Sequence, residues 1–446
     1  MDFLTDGSLS TGTLVLLAVS LFVALAFEFV NGFHDTANAV ATVIYTNTLK
    51  PTHAVILSGV CNFVGVFVGG IAVAMAIVHL LPVDLLVEGG AGKGMAMVLA
   101  LLLAAILWNL GTWYLGLPAS SSHTLIGAIL GVGLMHSAMR GDFGAGVNWD
   151  KAAHVGESLL ASPIFGFAVA AGLLLLFRRI IRDRSVFEPP KDNEPPPRWI
   201  RTVLIGTCAG VSFAHGSNDG QKGVGLIMLI LVGLIPGAFA IDEQASAEMV
   251  SGARESIATL RNGLDDSAGP HLDRVEAALA GAETGRDIAA DDRWPLRQSI
   301  LRIDEAVAEA GTPELRAAEA KLDPLTDYAP WWVIVAVALA LGIGTTVGYE
   351  RIVVTVGEKI GKSHLTYAQG MSAEIVAMST IGVSSYLGLP VSTTHVLSSG
   401  IAGTMAAQKS GLQMKTVRNI ALAWVLTLPA AMLLSAGLFW VFSQFV

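Results

Sequence analysis

Asn31-Gly-Phe-His-Asp-Thr-Ala-Asn38 interrupts a long apolar run with an acid, two amides and a histidine, and the chain repeats the device. Gly32-Phe33-His34-Asp35-Thr36-Ala37-Asn38-Ala39-Val40 returns as Gly216-Ser217-Asn218-Asp219-Gly220-Gln221-Lys222-Gly223-Val224. A second interruption is also doubled: Gly116-Leu117-Pro118-Ala119-Ser120-Ser121-Ser122-His123 returns as Gly388-Leu389-Pro390-Val391-Ser392-Thr393-Thr394-His395. Each half therefore holds one acidic break and one proline-then-hydroxyl break. Duplicated polar breaks in hydrophobic segments point to the midplane binding site of a secondary transporter.

Outward from these motifs the chain is built for a bilayer. Of its 446 residues 53% are hydrophobic and only 14% charged, against about a quarter charged in soluble domains. Apolar stretches recur at Leu14 to Val30, Ala54 to Leu81, Met95 to Leu115, Ile164 to Phe177, Trp332 to Val347 and Ala421 to Val446. About 20 such residues cross the hydrocarbon core as a helix. The first residues include Asp2 and Asp6 and no base, which does not read as a cleaved leader. Cys61 and Cys208 stand alone in apolar sequence, a pattern for packing rather than for disulfides or metal.

Motif spacing locates an insertion. Asp35 to Pro118 is 83 positions and Asp219 to Pro390 is 171, an excess of 88, and residues 241–328 number 88. That segment holds 19 of the 36 acids and 9 of the 27 bases, which leaves the rest one positive charge from neutral. Its Ala-, Glu-, Arg- and Leu-rich stretches have helical periodicity. The expected organisation is membrane repeat 1 (1–177), a basic, proline-rich linker (178–201), membrane repeat 2 (202–240 and 329–446) and an acidic extramembrane insert (241–328). The linker carries seven bases and Pro195-Pro196-Pro197, and bases beside membrane segments favour the cytoplasmic side. Placing the linker inside and both termini outside gives the two repeats opposite orientations. The expected fold is an all-α polytopic membrane protein of two inverted-topology repeats, with broken helices or re-entrant hairpins at mid-membrane.

The residue chemistry is specific. A charge at the bilayer centre costs roughly 2.5–3.5 kcal/mol even on lenient scales, so the matched Asp35 and Asp219 need a partner or a substrate. Gly32, Gly216 and Gly220 are expected to let the backbone unwind there, offering carbonyls to a cation and N–H groups to an anion. Ser120, Ser121 and Ser122, with Ser392, Thr393 and Thr394, fall at helix starts after Pro118 and Pro390. Capping accounts for one hydroxyl at each start. Three in a row, twice, suggest a neutral cradle for a tetrahedral oxyanion.

These motifs, with Trp108-Asn109-Leu-Gly-Thr-Trp113, Tyr367-Ala-Gln-Gly-Met371 and His215-Gly-Ser-Asn-Asp-Gly-Gln-Lys222, resemble the Pit inorganic phosphate transporters, and most nearly the bacterial low-affinity type. The resemblance covers nearly the whole membrane portion and least of the insert. It implies a multi-pass protein of the bacterial inner membrane, a homodimer among lipids, with no nucleic-acid partner. It further implies import of phosphate, as the free ion or as a neutral complex with a divalent metal, by symport with protons or, in related members, sodium. By position, phosphate would be held at Ser120 to Ser122 and Ser392 to Thr394, and phosphate or the coupling ion at Asp35, Asn38 and Asp219.

The residues make that substrate sensible. Phosphate still carries a proton near neutral pH and can donate to a carboxylate, which sulfate cannot, and an unpaired buried acceptor discriminates strongly. Two aspartates and a phosphate dianion hold more negative charge than a low-dielectric site tolerates. Lys222, on the helical face of Asp219, offsets one unit, and cations must supply the rest. Protons are preferred over sodium for that part, and no resident cofactor or metal is called for. Asn218 joins the candidates by adjacency. Glu28 and Glu374 are further candidates for the coupling ion, and either could instead simply pair with a neighbouring donor. His34, His123, His215 and His395 read chiefly as packing histidines. An anion channel and a membrane hydrolase using Ser122-His123 or Thr394-His395 are the rival readings. The buried acids oppose the first, and the second gives no reason for duplication, so an enzyme is not expected.

Overall fold

With no water to satisfy it, the polar backbone of an apolar segment must close its hydrogen bonds within itself, and this chain does so as helices. The computed structural model describes residues 10–78, 90–144, 147, 149–190 and 194–445, and no strand occurs among them. The principal helices are α1 (Thr11–Asp35), α2 (Ala37–Tyr45), α3 (Pro51–Val68), α4 (Gly90–Tyr114), α5 (Ser121–Met139), α6 (Trp149–Ile180), α7 (Arg198–Leu234), α8 (Trp331–Thr345), α9 (Tyr367–Tyr386), α10 (Thr393–Gln408) and α11 (Met414–Phe442). Six helical segments are long and apolar enough to cross a membrane, or seven if α8 counts with the short helices before it.

The chain divides into two compact units. The larger comprises residues 21–82, 96–226 and 331–446 and contains all the duplicated motifs. Its close approaches come in related pairs, each joining one half of the sequence to the other. A Cβ on Gly32 of α1 would strike the Leu341 carbonyl of α8, and one on Gly216 of α7 would strike the Asn62 carbonyl of α3. Gly344 and Gly65 return the contacts, against the carbonyls of Phe29 and Phe213. The hydroxyl helices do likewise: Gly131 of α5 lies on Met432 O of α11, and Gly403 of α10 on Phe167 O of α6. Small residues are what allow membrane helices to approach this closely.

The hydroxyl breaks are alike in detail. After α4 the chain turns at Gly116 (φ 65°) into α5, and after α9 it turns at Gly388 (φ 68°) into α10. The acidic motifs depart from expectation. No unwinding occurs at Asp219, because α7 runs unbroken from Arg198 to Leu234. At the first copy only Thr36 separates α1 from α2, and its backbone is itself helical (φ −50°, ψ −39°). Gly32 and Gly216 are occupied with the backbone contacts just described, and Gly220 leaves room for the Val66 side chain. The real break lies where one continuous run, Ala54 to Leu81, was expected. There α3 stops at Val68, and a new helix, Ala72–Val78, begins after Gly70 (φ 73°). Buried Gln221 satisfies the freed backbone, donating to Gly69 O at 2.6 Å and accepting from Val73 N at 2.7 Å. Residues 79–81 of that run lie outside the described residues.

The smaller unit, residues 1–20, 83–95 and 227–330, contains the insert. Helices Ala247–Gly263, Gly269–Leu279 and Ala290–Ala310 and two short ones enclose a core that includes Ile257, Leu260, Leu272, Val275, Leu296 and Ile303. Buried Arg297 donates to Ala240 O at 3.0 Å and Thr326 O at 2.8 Å, and Tyr328 Oη donates to Phe239 O at 2.9 Å. The insert's two ends are thereby stapled together.

Candidate transport site

Asp35 ends α1, Asp219 lies within α7, and a single hydroxyl joins them. Ser121, the first residue of α5, donates from Oγ to Asp35 Oδ2 at 2.8 Å and lies 3.2 Å from Asp219 Oδ2. One hydroxyl proton serves one acceptor at a time, so Ser121 sits between two competing carboxylates. Both aspartates are buried.

From each acidic motif an arm reaches the opposite hydroxyl motif. Asn38 Nδ2 donates to Thr394 Oγ1 at 2.9 Å, and Thr394 donates in turn to Asp35 Oδ1 at 2.9 Å. Lys222 occupies the position of Asn38 in the second copy, and its Nζ donates to Ser122 Oγ at 2.6 Å. Ser122 then donates to Val391 O at 2.7 Å, within the other hydroxyl loop. Lys222 also pairs with Asp219 Oδ1 at 2.8 Å. A buried ammonium survives only with such a partner, since removing one member of a buried pair strands the other charge.

Asp35 has no lysine. His34 Nδ1 lies 3.0 Å from its Oδ1, and His215 Nε2 lies 3.7 Å from its Oδ2. His215 Nε2 is also 3.5 Å from Asp219 Oδ2, and its Nδ1 is held 2.9 Å from Asn62 Oδ1. Both histidines belong to the cluster, where the sequence suggested packing. The available signal was position, His34 beside one aspartate and His215 one helical turn before the other. The His123 and His395 rings lie tilted against each other with centroids 4.5 Å apart, and His395 lies against Trp424 at 4.1 Å; His123 Nδ1 and both His395 ring nitrogens are buried with no hydrogen bond to a described residue.

The remaining candidates separate. Ser120 and Ser392 cap α5 and α10, accepting from His123 N at 3.2 Å and His395 N at 3.1 Å. Thr393 is buried beside Thr394 at the start of α10. Asn218 turns to the Pro390 loop, donating to Leu389 O at 3.1 Å and Ser385 Oγ at 3.2 Å. Glu374 receives hydroxyl hydrogen bonds from Thr42 and Thr207. Glu28 is buried with neither carboxyl oxygen hydrogen-bonded to a described residue. Asp35, His215 and Asp219 each turn a ligand atom toward a common point, all within 4.8 Å of one another, a set able to take a cation.

Apolar spanning helices around a buried cluster of acids, hydroxyls and one ammonium define a multi-pass membrane transport protein. Residues 31–435 match the phosphate transporter family (PHO4), and the chain belongs to that family. It is 45% identical to the low-affinity inorganic phosphate transporter PitA of Escherichia coli K12 and 44% identical to PitB of the same strain, with 98% of each chain covered. A probable low-affinity inorganic phosphate transporter of Bacillus subtilis is 32% identical, over 95% of this chain and 96% of that one. A solved structure described as the sodium-dependent phosphate transporter shares the fold, with a TM-score of 0.65 and 18% identity, covering 97% of this chain and 100% of that one. Membership places the chain among transporters and not among enzymes.

Proposed function

We propose that this protein imports inorganic phosphate by cation symport through alternating access, with protons rather than sodium as the coupling ion. The observation that carries the reading is Ser121 shared between Asp35 and Asp219. A phosphate entering there meets hydroxyl donors on both hydroxyl helices, an ammonium on Lys222, and carboxylates that can accept its own proton. Asp35, Asp219 and Lys222 sum to one negative charge with the histidines neutral, so a phosphate anion requires accompanying cations in this low-dielectric setting. A divalent metal carried with phosphate would find ligands in Asp35, His215 and Asp219. The exchanged contacts between halves support two repeats of opposite orientation, with the site on their pseudo-two-fold axis. A homodimer in the lipid of a bacterial inner membrane completes the proposal.

A hydrolase is disfavoured by geometry. Ser122 Oγ is engaged with Lys222 and Val391 O, and the His123 ring lies against His395, so no nucleophile–base pair forms. A channel is disfavoured by the buried acids. The test is labelled-phosphate uptake into proteoliposomes with proton and sodium gradients imposed separately. Accumulation driven by the proton gradient alone supports the proposal. Accumulation driven only by sodium removes proton coupling, and downhill flux without accumulation removes symport.

A further inference from the structure

Among the described residues of the larger unit, Glu28 is the buried acid whose two carboxyl oxygens both lack a hydrogen bond. It lies on α1 two helical turns before Asp35, with no exposed surface and no hydrogen bond to either oxygen among the described residues. Its carboxyl lies on Gly223: a Cβ there would come within 2.6 Å of Glu28 Cδ and Oε1. The equivalent of Gly223 in the first copy is Ala39, and the equivalent of Glu28 in the second copy is Ser212. Ser212 is fully satisfied, donating to Cys208 O at 2.8 Å and meeting Ser58 Oγ at 2.9 Å. The acid and the space for it thus occur together, on one side of the pseudo-symmetry only.

The charged groups within electrostatic reach are Asp219 and Lys222 on α7 and Asp35 on α1. Lys222 is already committed to Asp219 and Ser122. The Asn31 amide, one turn on along α1, is the polar neighbour of the carboxyl and forms no well-aligned hydrogen bond to it; an ionised carboxylate so weakly served is costly in such surroundings, whereas a carboxylic acid is tolerated. Glu374 contrasts with it: each of its oxygens receives a hydroxyl, so it is clamped whichever form it takes.

We propose, resting on the symport reading above, that Glu28 is the residue that carries the coupling proton. Its carboxylate binds one proton from the side from which phosphate enters, becoming neutral as the site is buried. It returns that proton on the opposite side after phosphate leaves, so one proton crosses with each phosphate and Glu28 ends as it began. Gly223, directly after Lys222, couples the two events, because any shift of α7 that moves the ammonium also moves the surface on which the acid lies.

The experiment uses the full chain in proteoliposomes, with phosphate accumulation under an imposed pH gradient and phosphate exchange at equal pH measured side by side. One proton per phosphate gives about tenfold accumulation per unit of pH gradient in the wild type. Glu28→Gln, a fixed neutral mimic, is expected to retain exchange while accumulation falls to the level of simple equilibration, and to flatten the pH profile of exchange. Glu28→Asp is expected to restore pH-driven accumulation with a shifted profile. Wild-type accumulation by Glu28→Gln overturns the proposal, as does loss of exchange together with accumulation in a folded, inserted variant. If Glu28→Gln does not fold, an unshifted pH profile in Glu28→Asp overturns it. Absent exchange in the wild type would instead refute the transport reading itself.

Discussion

The two acidic motifs are copies by sequence and unequal by environment. Asp219 has a buried lysine one helical turn away at 2.8 Å, whereas Asp35 relies on Thr394, Ser121 and two histidines. Position for position, the first copy has Asn38, Ala39 and Glu28 where the second has Lys222, Gly223 and Ser212. The shared features build the container: the glycine contacts, the turns at Gly116 and Gly388, and the caps Ser120 and Ser392. Beyond the two matched aspartates, the charged groups, Glu28 and Lys222, stand at unshared positions. Matched substitutions in the container should therefore have matched effects, whereas those at the aspartates, whose charged neighbours are unshared, should differ in stability.

The largest effect is expected at the aspartates. Asp35→Asn and Asp219→Asn should each abolish uptake while the protein still inserts, measured as phosphate accumulation in proteoliposomes. They should differ in stability, because Asp219→Asn strands the Lys222 ammonium and should cost roughly 3–5 kcal/mol, while Asp35→Asn leaves no lysine unpaired. Equal melting temperatures for the two variants would break the comparison at its main point.

Next comes the unequal pair itself. Lys222→Asn, which writes the first copy's residue into the second, should weaken phosphate binding by about tenfold or more by removing a charge-assisted donor. Asn38→Asp, which replaces the amide donor to Thr394 with a second anion beside Asp35, should slow phosphate uptake in proteoliposomes. Isothermal titration with phosphate in detergent measures the first. Unchanged affinity in Lys222→Asn would move Lys222 from the substrate to a purely structural pairing with Asp219.

Much of this was legible in the sequence. The duplication, the acids, the hydroxyl runs and the insert's 88 residues could all be read from spacing, because repeats and hydropathy are one-dimensional signals. The role of the glycines was not. Gly216 reads equally as a site of unwinding and as a site of contact, and only the Asn62 carbonyl lying against it decides between them. His215 was missed for a similar reason. A histidine one turn from an aspartate is common, and its bridging position depends on Asn62 and on Asp35, each over a hundred residues away. Ser120 and Ser392 were grouped with the cradle, although the first hydroxyl of each run is the one that the helix end itself needs.

Smaller and more even effects belong to the container. Gly65→Ala and Gly344→Ala each push a methyl into a backbone carbonyl, at Phe213 and Phe29 respectively, and overpacking of this kind costs about 1–3 kcal/mol. The two losses should agree within experimental scatter in a thermal unfolding series. Ser120→Ala and Ser392→Ala should each cost about 1 kcal/mol as lost caps, with transport reduced far less than in Ser121→Ala. A large difference within either pair would mean that the container is not symmetric.

The smallest effect tests the insert, which interrupts only the second copy. Glu319, half-buried in the insert, is pushed up to about 8 from an ordinary 4.5 by burial and by Asp323, Asp304 and Asp327 nearby. The folded insert keeps this proton to about pH 8, while an unfolded chain releases it near pH 4.5. The unfolded state therefore binds fewer protons throughout that interval, and stability must fall as pH rises across it and level off above. Because the group is partly exposed, solvent screening keeps the slope modest. Limited proteolysis of the full protein should cut the insert faster at pH 8.5 than at pH 6, and Glu319→Gln should remove most of that difference. Since the titration arises in the smaller unit, it should leave the pH profile of phosphate exchange unchanged. A Glu319→Gln variant with an altered exchange profile would show that the insert takes part in coupling and is not merely accommodated by the repeat.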